Sequence, residues 1–469
     1  MLDWDNLLCT KRERESSGNK TSQLIKRNEF ESDYDRIIGS SSVRRLQDKA
    51  QVFPLQENDV TRTRLTHSIE VSSMARSLGK AVGTELVKKD KFSNEQVDQL
   101  QALLQTAGLI HDLGNPPFGH YGEKIIRNWF SEYFKSNSFL KANGTILTQQ
   151  QKNDFLFFDG NVQNIRIITK LQTLNDQYGA NFTYATIASI IKYPWKSDNV
   201  KCINKKGKFG YFHSEEQQIK KIRLELGLKD CERHPATLLM EAADDIIYIC
   251  DDIEDGVKKG YIDWDSEYNK LKESLKKYGD LFKKIDKKNP DANMDHNEQV
   301  IARVRNFRNA VQSYLFVKAV ENFIDNYDKI IKGNFIEELL FTEKVLIKEL
   351  KKLTAKTCFS SKEVIRLELV GDKVVSTLLD IFVPVIIEHD GAQLLDTSTY
   401  AGKLFNLISP NFTYIALFPY LNGNDESAKE EAIDKLSLYE RLHLVVDFIS
   451  GMTDSFAVNI YKELMGISL

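Results

Sequence analysis

The amino-acid sequence predicts an all-α protein. Apolar residues recur every three or four positions through most of the 469 residues, which is the spacing of a buried helix face. Proline is scarce, and no stretch rich in glycine, serine and proline divides the chain. We therefore expect one large helical core with added helices and few or no strands. A short hairpin is predicted near residues 201–214, where lysine, glycine and aromatic residues cluster.

The composition excludes several classes of protein. A hydrophobic content of 42% with 28% charged residues is ordinary for a globular protein, and a net charge of −3 does not indicate nucleic-acid binding. The amino-terminal residues lack the basic segment followed by an apolar segment that marks a secretion signal, and the apolar runs are too short to cross a bilayer. We therefore expect a cytoplasmic location and no membrane partner. The five scattered cysteines form no C-x-x-C motif. Any metal should therefore be bound through nitrogen and oxygen.

The first elements lead to a histidine near the start of a long helix. Residues 1–34 are polar and charged and predict a solvated arm. Residues 36–53 predict a helix that carries Gln51. A longer helix is expected to begin at Thr66 as the N-cap, which places His67 in its first turn. The expected apolar stripe of this helix consists of Ile69, Ala75, Leu78, Val82 and Leu86.

Two arginines precede that helix. Arg62 and Arg64 can present planar, permanently charged guanidinium groups to phosphate oxygens. A solvated loop is the alternative interpretation for each of them. Lys192 is a third basic residue that could contact a phosphate. It lies at the end of a helix predicted over 185–192, where it could instead complement the helix dipole.

The segment from Gly108 to Glu123, which reads GLIHDLGNPPFGHYGE, carries the clearest chemistry. A helix predicted over 97–114 ends at the Pro-Pro pair and delivers His111 and Asp112 together. One supplies a neutral nitrogen and the other an anionic oxygen, so the pair can hold one divalent cation. A His-Asp pair alone is a weak signal, because the aspartate could equally cap the helix.

His120 and Glu123 follow in the same segment, three residues apart. If the turn is helical, the carboxylate can accept a hydrogen bond from the imidazole and raise its pKa. Such a histidine suits proton transfer. Local capping explains the same spacing almost as well.

The acidic segment 234–256 predicts a helix with an apolar face. Asp244, Tyr248 and Asp252 are spaced by four and four, which places them along one stripe. That stripe could complete a metal site at one end and bind a sugar hydroxyl at the other. A charged stripe that pairs with lysines elsewhere is the alternative.

The second half of the chain predicts further helices and no separate catalytic constellation. These helices are expected at 264–282, 298–327, 337–355, 361–383, from 403 onward, and at 428–469. We expect three regions: a polar arm at 1–34, a catalytic core at 35–270, and a helical region at 271–469 that completes the pocket and forms oligomer contacts.

Three motifs in this order carry a family resemblance: RTRLTHS, GLIHDLGNPPFGH and AADDIIY, joined by RLQ-x-K-x-Q-V-F at 45–53. Together they resemble the HD superfamily of metal-dependent phosphohydrolases and, more narrowly, its deoxyguanosine triphosphate triphosphohydrolase family. The resemblance implies an HD-domain helical core with one divalent ion, Mg²⁺, Mn²⁺ or another transition metal. The implied ligands are His67, His111, Asp112 and Asp244, with Asp245 as second candidate for the last position.

The same resemblance implies the remaining roles. His120 and Glu123 match the family's catalytic pair. Gln51, Tyr248 and Asp252 would read the 3′-hydroxyl of a deoxyribose, and Arg64 and Lys192 would hold phosphates. The implied reaction is hydrolysis of deoxynucleoside triphosphates, with dGTP preferred, to deoxynucleoside and tripolyphosphate. A homo-oligomer, either hexamer or tetramer, and single-stranded DNA as a regulator are also implied.

Two other functions stay open at this point. The first is an HD phosphodiesterase or a guanosine-tetraphosphate hydrolase, which would release different products. The second is a nucleotide-sensing or single-strand nucleic-acid-binding protein with an inactive site.

Overall fold

The structure, a computed structural model, describes residues 2–14, 27–51, 61–136, 139–140, 146–172, 176–423 and 425–467. Within these residues the chain forms helices and no strand, which confirms the all-α class. The one extended pairing described is an isolated antiparallel bridge between Ala50 and Thr63. None of the described helices is both long and apolar enough to span a membrane.

Twelve α-helices precede residue 260 in the described part of the chain. They are α1 (Trp4–Leu7), α2 (Glu29–Ile38), α3 (Ser41–Arg45), α4 (Arg64–Lys88), α5 (Asn94–Ile110), α6 (Gly119–Tyr133), α7 (Gln149–Leu156), α8 (Gly160–Arg166), α9 (Tyr184–Ser189), α10 (Val200–Asn204), α11 (Glu216–Glu225) and α12 (Pro235–Lys258).

Twelve more are described beyond that point. They are α13 (Trp264–Ser274), α14 (Gly279–Asp286), α15 (His296–Asp325), α16 (Tyr327–Ile331), α17 (Lys344–Thr357), α18 (Lys362–Glu388), α19 (Gly391–Leu395), α20 (Tyr400–Leu407), α21 (Pro410–Leu417), α22 (Glu426–Asp434), α23 (Leu438–Ser450) and α24 (Asp454–Leu464).

Helices α4 and α5 pack closely and antiparallel. A Cβ atom at Gly108 would lie 2.7 Å from Cα of Ser72, and one at Gly79 would lie 2.8 Å from a methyl carbon of Leu104. Glycines at these positions allow the two backbones to approach each other. The antiparallel arrangement brings the start of α4 next to the end of α5, so His67 lies beside the segment that begins at His111.

The apolar face of α4 differs from the prediction at one residue. Ala75, Leu78, Val82 and Leu86 are fully buried, but Ile69 is 48% exposed. The helix begins earlier than predicted, because Thr63 rather than Thr66 is the N-cap, and its hydroxyl accepts from the backbone N–H of Thr66.

The amino-terminal residues 2–14 are not a solvated arm. Four apolar residues of this segment are buried: Leu2, Trp4, Leu7 and Leu8. The prediction gave more weight to the charged residues that follow them than to their helical spacing. Arg12 anchors the end of this segment through an ion pair with the buried carboxylate of Asp33, at 2.5 Å. Residues 15–26 lie outside the described part of the chain.

The helix predicted over 36–53 ends early. A single 3-10 turn at Leu46–Asp48 follows α3, and the backbone is extended at Lys49. Gln51 is therefore not on a helix, because Ala50 bridges to Thr63 instead. Residues 52 and 53, the last two of the predicted helix, lie outside the described part of the chain.

The hairpin predicted near 201–214 is wrong. The chain instead forms α10, and the N–H of Gly207 returns to the carbonyl oxygen of Cys202 at 2.9 Å. Lys206 and Gly207 have φ values of 56° and 83°, which is a left-handed helix ending rather than a strand turn. Phe209 and Phe212 are buried, so this segment belongs to the core.

Helix α12 lies at the centre of the fold and packs against α4, α5, α15 and α17. Its apolar face is buried as predicted, and several of its carboxylates are buried too, because α15 and α17 also pack against this helix. The buried apolar residues form two clusters, and each draws on both halves of the chain. The division at residues 34 and 270 stays a prediction.

Candidate metal centre and active site

Three predicted ligands meet where α4, α5 and α12 converge. Nε2 of His67 lies 3.2 Å from Oδ1 of Asp244, and Nε2 of His111 lies 3.6 Å from the same oxygen. One ligand atom from each of the three side chains lies within 4.8 Å of the others. Two imidazole nitrogens and a carboxylate oxygen at this separation form a donor set suited to a divalent metal ion.

The orientation of His111 fits metal binding. Nδ1 lies 2.7 Å from the carbonyl oxygen of Gly108 and must donate to it, because a carbonyl can only accept. This fixes Nε2 toward Asp244, where it is buried without a hydrogen-bond partner among the described residues. Burial opposes a charge on His111, but the carboxylates of Asp112 and Asp244 outweigh it and raise the pKa of His111 to about 9. The same negative potential favours a bound cation.

Asp112 borders this cluster and is held on both oxygens. Oδ1 lies 3.7 Å from Nε2 of His111 and accepts from the side-chain amide of Asn115 at 2.7 Å. Oδ2 accepts from the guanidinium of Arg64 at 2.6 Å. Burial alone would raise the pKa of Asp112, but Arg64 and His111 hold it well below its ordinary value. Asp112 is therefore held in one orientation beside the three-residue cluster, and its role as a metal ligand stays a prediction.

His120 lies in the first turn of α6, and Glu123 follows three residues later on the same helix. Nδ1 of His120 is 3.2 Å from Oε2 of Glu123, while the His120 side chain is 78% exposed. Glu123 is buried and also accepts from Arg127 at 3.0 Å and from the N–H of Gly160 at 2.8 Å. The hydrogen bond and charge of this fixed carboxylate raise the pKa of His120.

Asp244, Tyr248 and Asp252 follow one stripe of α12. The Tyr248 hydroxyl interacts with Asp252, and burial together with that carboxylate raises its pKa. Asp252 is buried, which raises its pKa well above the ordinary value. Its Oδ2, and Oε1 of Gln51, are buried acceptors without a partner in the described part of the chain.

The three basic residues predicted near phosphates occupy different places. Arg64 contacts Asp112, and its second terminal nitrogen would lie 2.6 Å from a Cβ atom at Gly119. Lys192 follows α9 rather than ending it, and its amine is 3.6 Å from Glu241, one turn before Asp244. The pKa of Lys192 is raised, chiefly by Glu241.

Arg62 does not face this site. Its guanidinium pairs with four carboxylates, which are Glu70 at 3.0 Å, Asp251 at 3.2 Å, Glu254 at 3.2 Å and Asp255 at 2.6 Å. Burying these acids on α4 and α12 requires a compensating cation. The prediction that Arg62 could present itself to phosphate is therefore wrong.

Lys351 on α17 adjoins the site and was missed from the sequence. Its amine donates to Oδ1 of Asp245 at 3.0 Å and lies 5.9 Å from the ring centroid of Tyr248. Asp245 thus faces α17, whereas Asp244 faces the histidines. No local pattern indicates Lys351, because it is one of several lysines on an ordinary amphipathic helix and lies 106 residues from Asp245 in sequence.

Comparisons with known proteins agree with this geometry. The family model described as HD domain matches residues 64–166. A deoxyguanosinetriphosphate triphosphohydrolase-like protein of Listeria innocua is 38% identical over the full length of both chains. A deoxyguanosinetriphosphate triphosphohydrolase of Serratia proteamaculans is 32% identical, covering 93% of this chain and 94% of its own. A like protein of a Synechocystis species is 31% identical over the full length of both.

The chain belongs to the deoxyguanosine triphosphate triphosphohydrolase family of the HD superfamily. As a member of this family it is a metal-dependent phosphohydrolase. The HD match includes His67, the His111-Asp112 pair, His120 and Glu123, but it ends before α12. The convergence of Asp244 with the two histidines therefore comes from the tertiary structure.

Proposed function

We propose that this family member hydrolyses deoxynucleoside triphosphates, with dGTP preferred, to deoxynucleoside and tripolyphosphate. The observation that carries the proposal is the meeting of His67, His111 and Asp244 at one end of the α12 stripe that continues to Tyr248 and Asp252. A triphosphate bound at the metal end would place its sugar beside the second carboxylate. The relative from Serratia proteamaculans bears the name deoxyguanosinetriphosphate triphosphohydrolase.

One divalent ion would be held by His67, His111, Asp112 and Asp244. Two neutral imidazoles and two carboxylates offer a net charge of −2, which suits Mg²⁺, Mn²⁺ or another transition metal. When bound, such an ion supplies positive charge that polarises a phosphate ester. Arg64 orients Asp112 and, with Lys192 and Lys351, would neutralise charge on the triphosphate.

His120 is the proposed proton-transfer group. In this reaction a water oxygen bonds to the α-phosphorus and the bond from phosphorus to the sugar 5′-oxygen breaks, so one proton must leave the water and one must reach the 5′-oxygen. Glu123 holds Nδ1 of His120 and thereby directs Nε2 outward. The exposed imidazole can exchange protons with solvent between turnovers.

Gln51, Tyr248 and Asp252 are proposed to select a deoxyribose. The buried acceptors on Gln51 and Asp252 lack partners in the described part of the chain, and a sugar 3′-hydroxyl can donate to such an acceptor. Tyr248 would pack where a ribose 2′-hydroxyl would have to go. A substrate without the 3′-hydroxyl would leave these acceptors unpaired and bind less well.

Product analysis tests the proposal. The purified chain is incubated with each deoxynucleoside triphosphate and with GTP, in Mg²⁺ and in Mn²⁺, and the products are separated by anion exchange. We expect deoxyguanosine and tripolyphosphate from dGTP, at the highest kcat/KM of the set. Pyrophosphate as the product would favour the phosphodiesterase alternative, and dGTP binding without cleavage in any divalent metal would favour a sensing protein. Assembly as a hexamer or tetramer and regulation by single-stranded DNA stay predictions.

A further inference from the structure

Asp454, the first residue of α24, is fully enclosed and contacts two backbone segments of the candidate active site. It is 1% exposed. Its Oδ1 accepts from the backbone N–H of Phe118 at 2.9 Å, and its Oδ2 accepts from the backbone N–H of Ala50 at 3.0 Å. Each of these backbone groups stands close in sequence to a proposed functional side chain, because His120 follows Phe118 by two residues and Gln51 follows Ala50 directly.

The turn that Asp454 holds is conformationally costly. Phe118 has a φ of 63°, a left-handed conformation that an aromatic residue rarely adopts without support from its surroundings. This residue begins α6 without a side-chain cap. The Asp454 carboxylate supplies the support, since it binds the backbone N–H of the strained residue.

A second contact from the C-terminal region reaches the same residue. Gly371 of α18 lies against the Phe118 ring, and a Cβ atom there would be 2.8 Å from Cγ of that ring. Phe118 is thus fixed through its side chain by α18 and through its backbone by α24. Neither contact involves the metal ligands.

Lys49 completes the arrangement from the other segment. Its buried amine donates to the carbonyl oxygen of Asn115 at 2.5 Å and to that of Ser450 at 3.2 Å. The segment 49–51, the turn 115–119 and the start of α24 are therefore joined by buried charged groups. Such groups hold one geometry because any displacement leaves them without partners.

We propose that Asp454 is a positioning residue that fixes the distance and orientation between the proton-transfer group His120 and the sugar-binding residue Gln51. The C-terminal region would then contribute to catalysis without touching the substrate. This inference rests on the proposed function, since it assumes that Gln51 reads the 3′-hydroxyl and that His120 transfers a proton.

The test compares two substitutions of Asp454 with a matched control. Asp454→Asn keeps one acceptor for the two N–H groups, and Asp454→Ala keeps none. Ser455→Ala is the control, because Ser455 lies next in α24 and its hydroxyl donates to Asp48 at 2.8 Å, whereas the N–H groups of Phe118 and Ala50 bond to Asp454. We expect kcat for dGTP to fall about 10-fold in the first variant and about 100-fold in the second, with Ser455→Ala unchanged.

Two readouts separate positioning from general loss of structure. Bound metal per chain should stay at the level of the unaltered protein, because the ligands are not contacted. The ratio of kcat/KM for dGTP to that for 2′,3′-dideoxy-GTP should fall toward one, since a displaced Gln51 no longer recognises the 3′-hydroxyl. If Asp454→Ala does not fold, Gly371→Ala tests the same turn from α18 and should lower kcat with metal content retained.

Unchanged kcat and an unchanged substrate ratio in Asp454→Asn would overturn the inference, as would a loss of activity that only parallels loss of metal. These results are distinct from failure of the proposed function, in which the unaltered chain itself would not hydrolyse dGTP.

Discussion

The buried carboxylate of Glu123 holds Nδ1 of the exposed His120 at 3.2 Å, while Arg127 and the N–H of Gly160 fix the same carboxylate from the other sides. A group that accepts three hydrogen bonds inside the protein cannot turn away from its histidine. The imidazole is therefore presented to solvent in one orientation and with a raised pKa.

Substitution of Glu123 by glutamine should shift the pH dependence of catalysis. The hydrogen bond and charge of Glu123 raise the pKa of His120, so their removal lowers it, and the limb of the kcat/KM profile that reports His120 should move to lower pH. This sign holds whether His120 acts as acid or base. Profiles from pH 5 to 9 measure the shift. Glu132→Gln, on the exposed side of the same helix, should leave the limb in place.

Asp244 and its neighbour provide a matched pair for the metal site. Asp244→Asn removes the carboxylate that lies between the two histidines, so bound metal should be lost and kcat should fall more than about 100-fold, beyond the range typical of outer contacts. Asp245→Asn should retain the metal, because that carboxylate faces Lys351. Elemental analysis after dialysis measures the bound metal per chain in both variants. Full metal content in Asp244→Asn would contradict the assignment.

Lys351 should contribute to substrate affinity. Loss of its amine in Lys351→Ala removes a cation beside Tyr248 and should raise KM for dGTP roughly 10-fold with little change in kcat, as expected for an interaction present in both ground and transition states. The neighbouring Lys352 pairs with Glu349 on the outer side of α17. Steady-state kinetics of Lys352→Ala should therefore match the unaltered chain, and equal KM values for both variants would refute the role of Lys351.

His234 predicts a pH dependence of stability that is independent of catalysis. Burial lowers its pKa from the ordinary 6.5 to about 4, although its hydrogen bond to the carbonyl oxygen of Leu7 acts in the opposite direction. Between these pH values the unfolded chain binds a proton that the folded chain does not, so the free energy of unfolding should fall by about 3 kcal/mol as pH drops from about 6.5 to about 4.

His234→Asn tests this stability prediction. Asparagine is also a good N-cap for α12 but does not titrate. Urea unfolding at several pH values should show a shallower decline in stability for this variant. Parallel curves for the two proteins would rule out His234 as the source.

Local patterns in the sequence were sufficient for the class of fold and for most helices. The period of the apolar residues predicted α12, α15 and α18 because a helix must bury one face whatever it packs against. The same patterns failed at Gln51 and near residues 201–214. There the backbone conformation depends on a bridge to Thr63 and on buried aromatic side chains that no local spacing encodes.

The candidate site, like the fold, could be predicted only in part from local sequence patterns. The motif around His111 and the spacing of Asp244, Tyr248 and Asp252 are local properties, and together with the family resemblance they indicated a metal site and a stripe of α12 directed toward a sugar. That one ligand atom each from His67, His111 and Asp244 lies within 4.8 Å of the others required the packing of three helices. The roles of these residues in turnover stay predictions.

By itself the sequence determined the helical class, because that follows from short-range periodicity, and its motifs indicated candidate metal ligands through their resemblance to a known family. Only the tertiary structure decided which charges neutralise each other and which distant residues support the site. Arg62 pairs with four carboxylates, Lys351 with Asp245, and Asp454 with the backbone of Phe118. A buried charge without a partner is costly, and the partner that offsets this cost can lie hundreds of residues away in sequence.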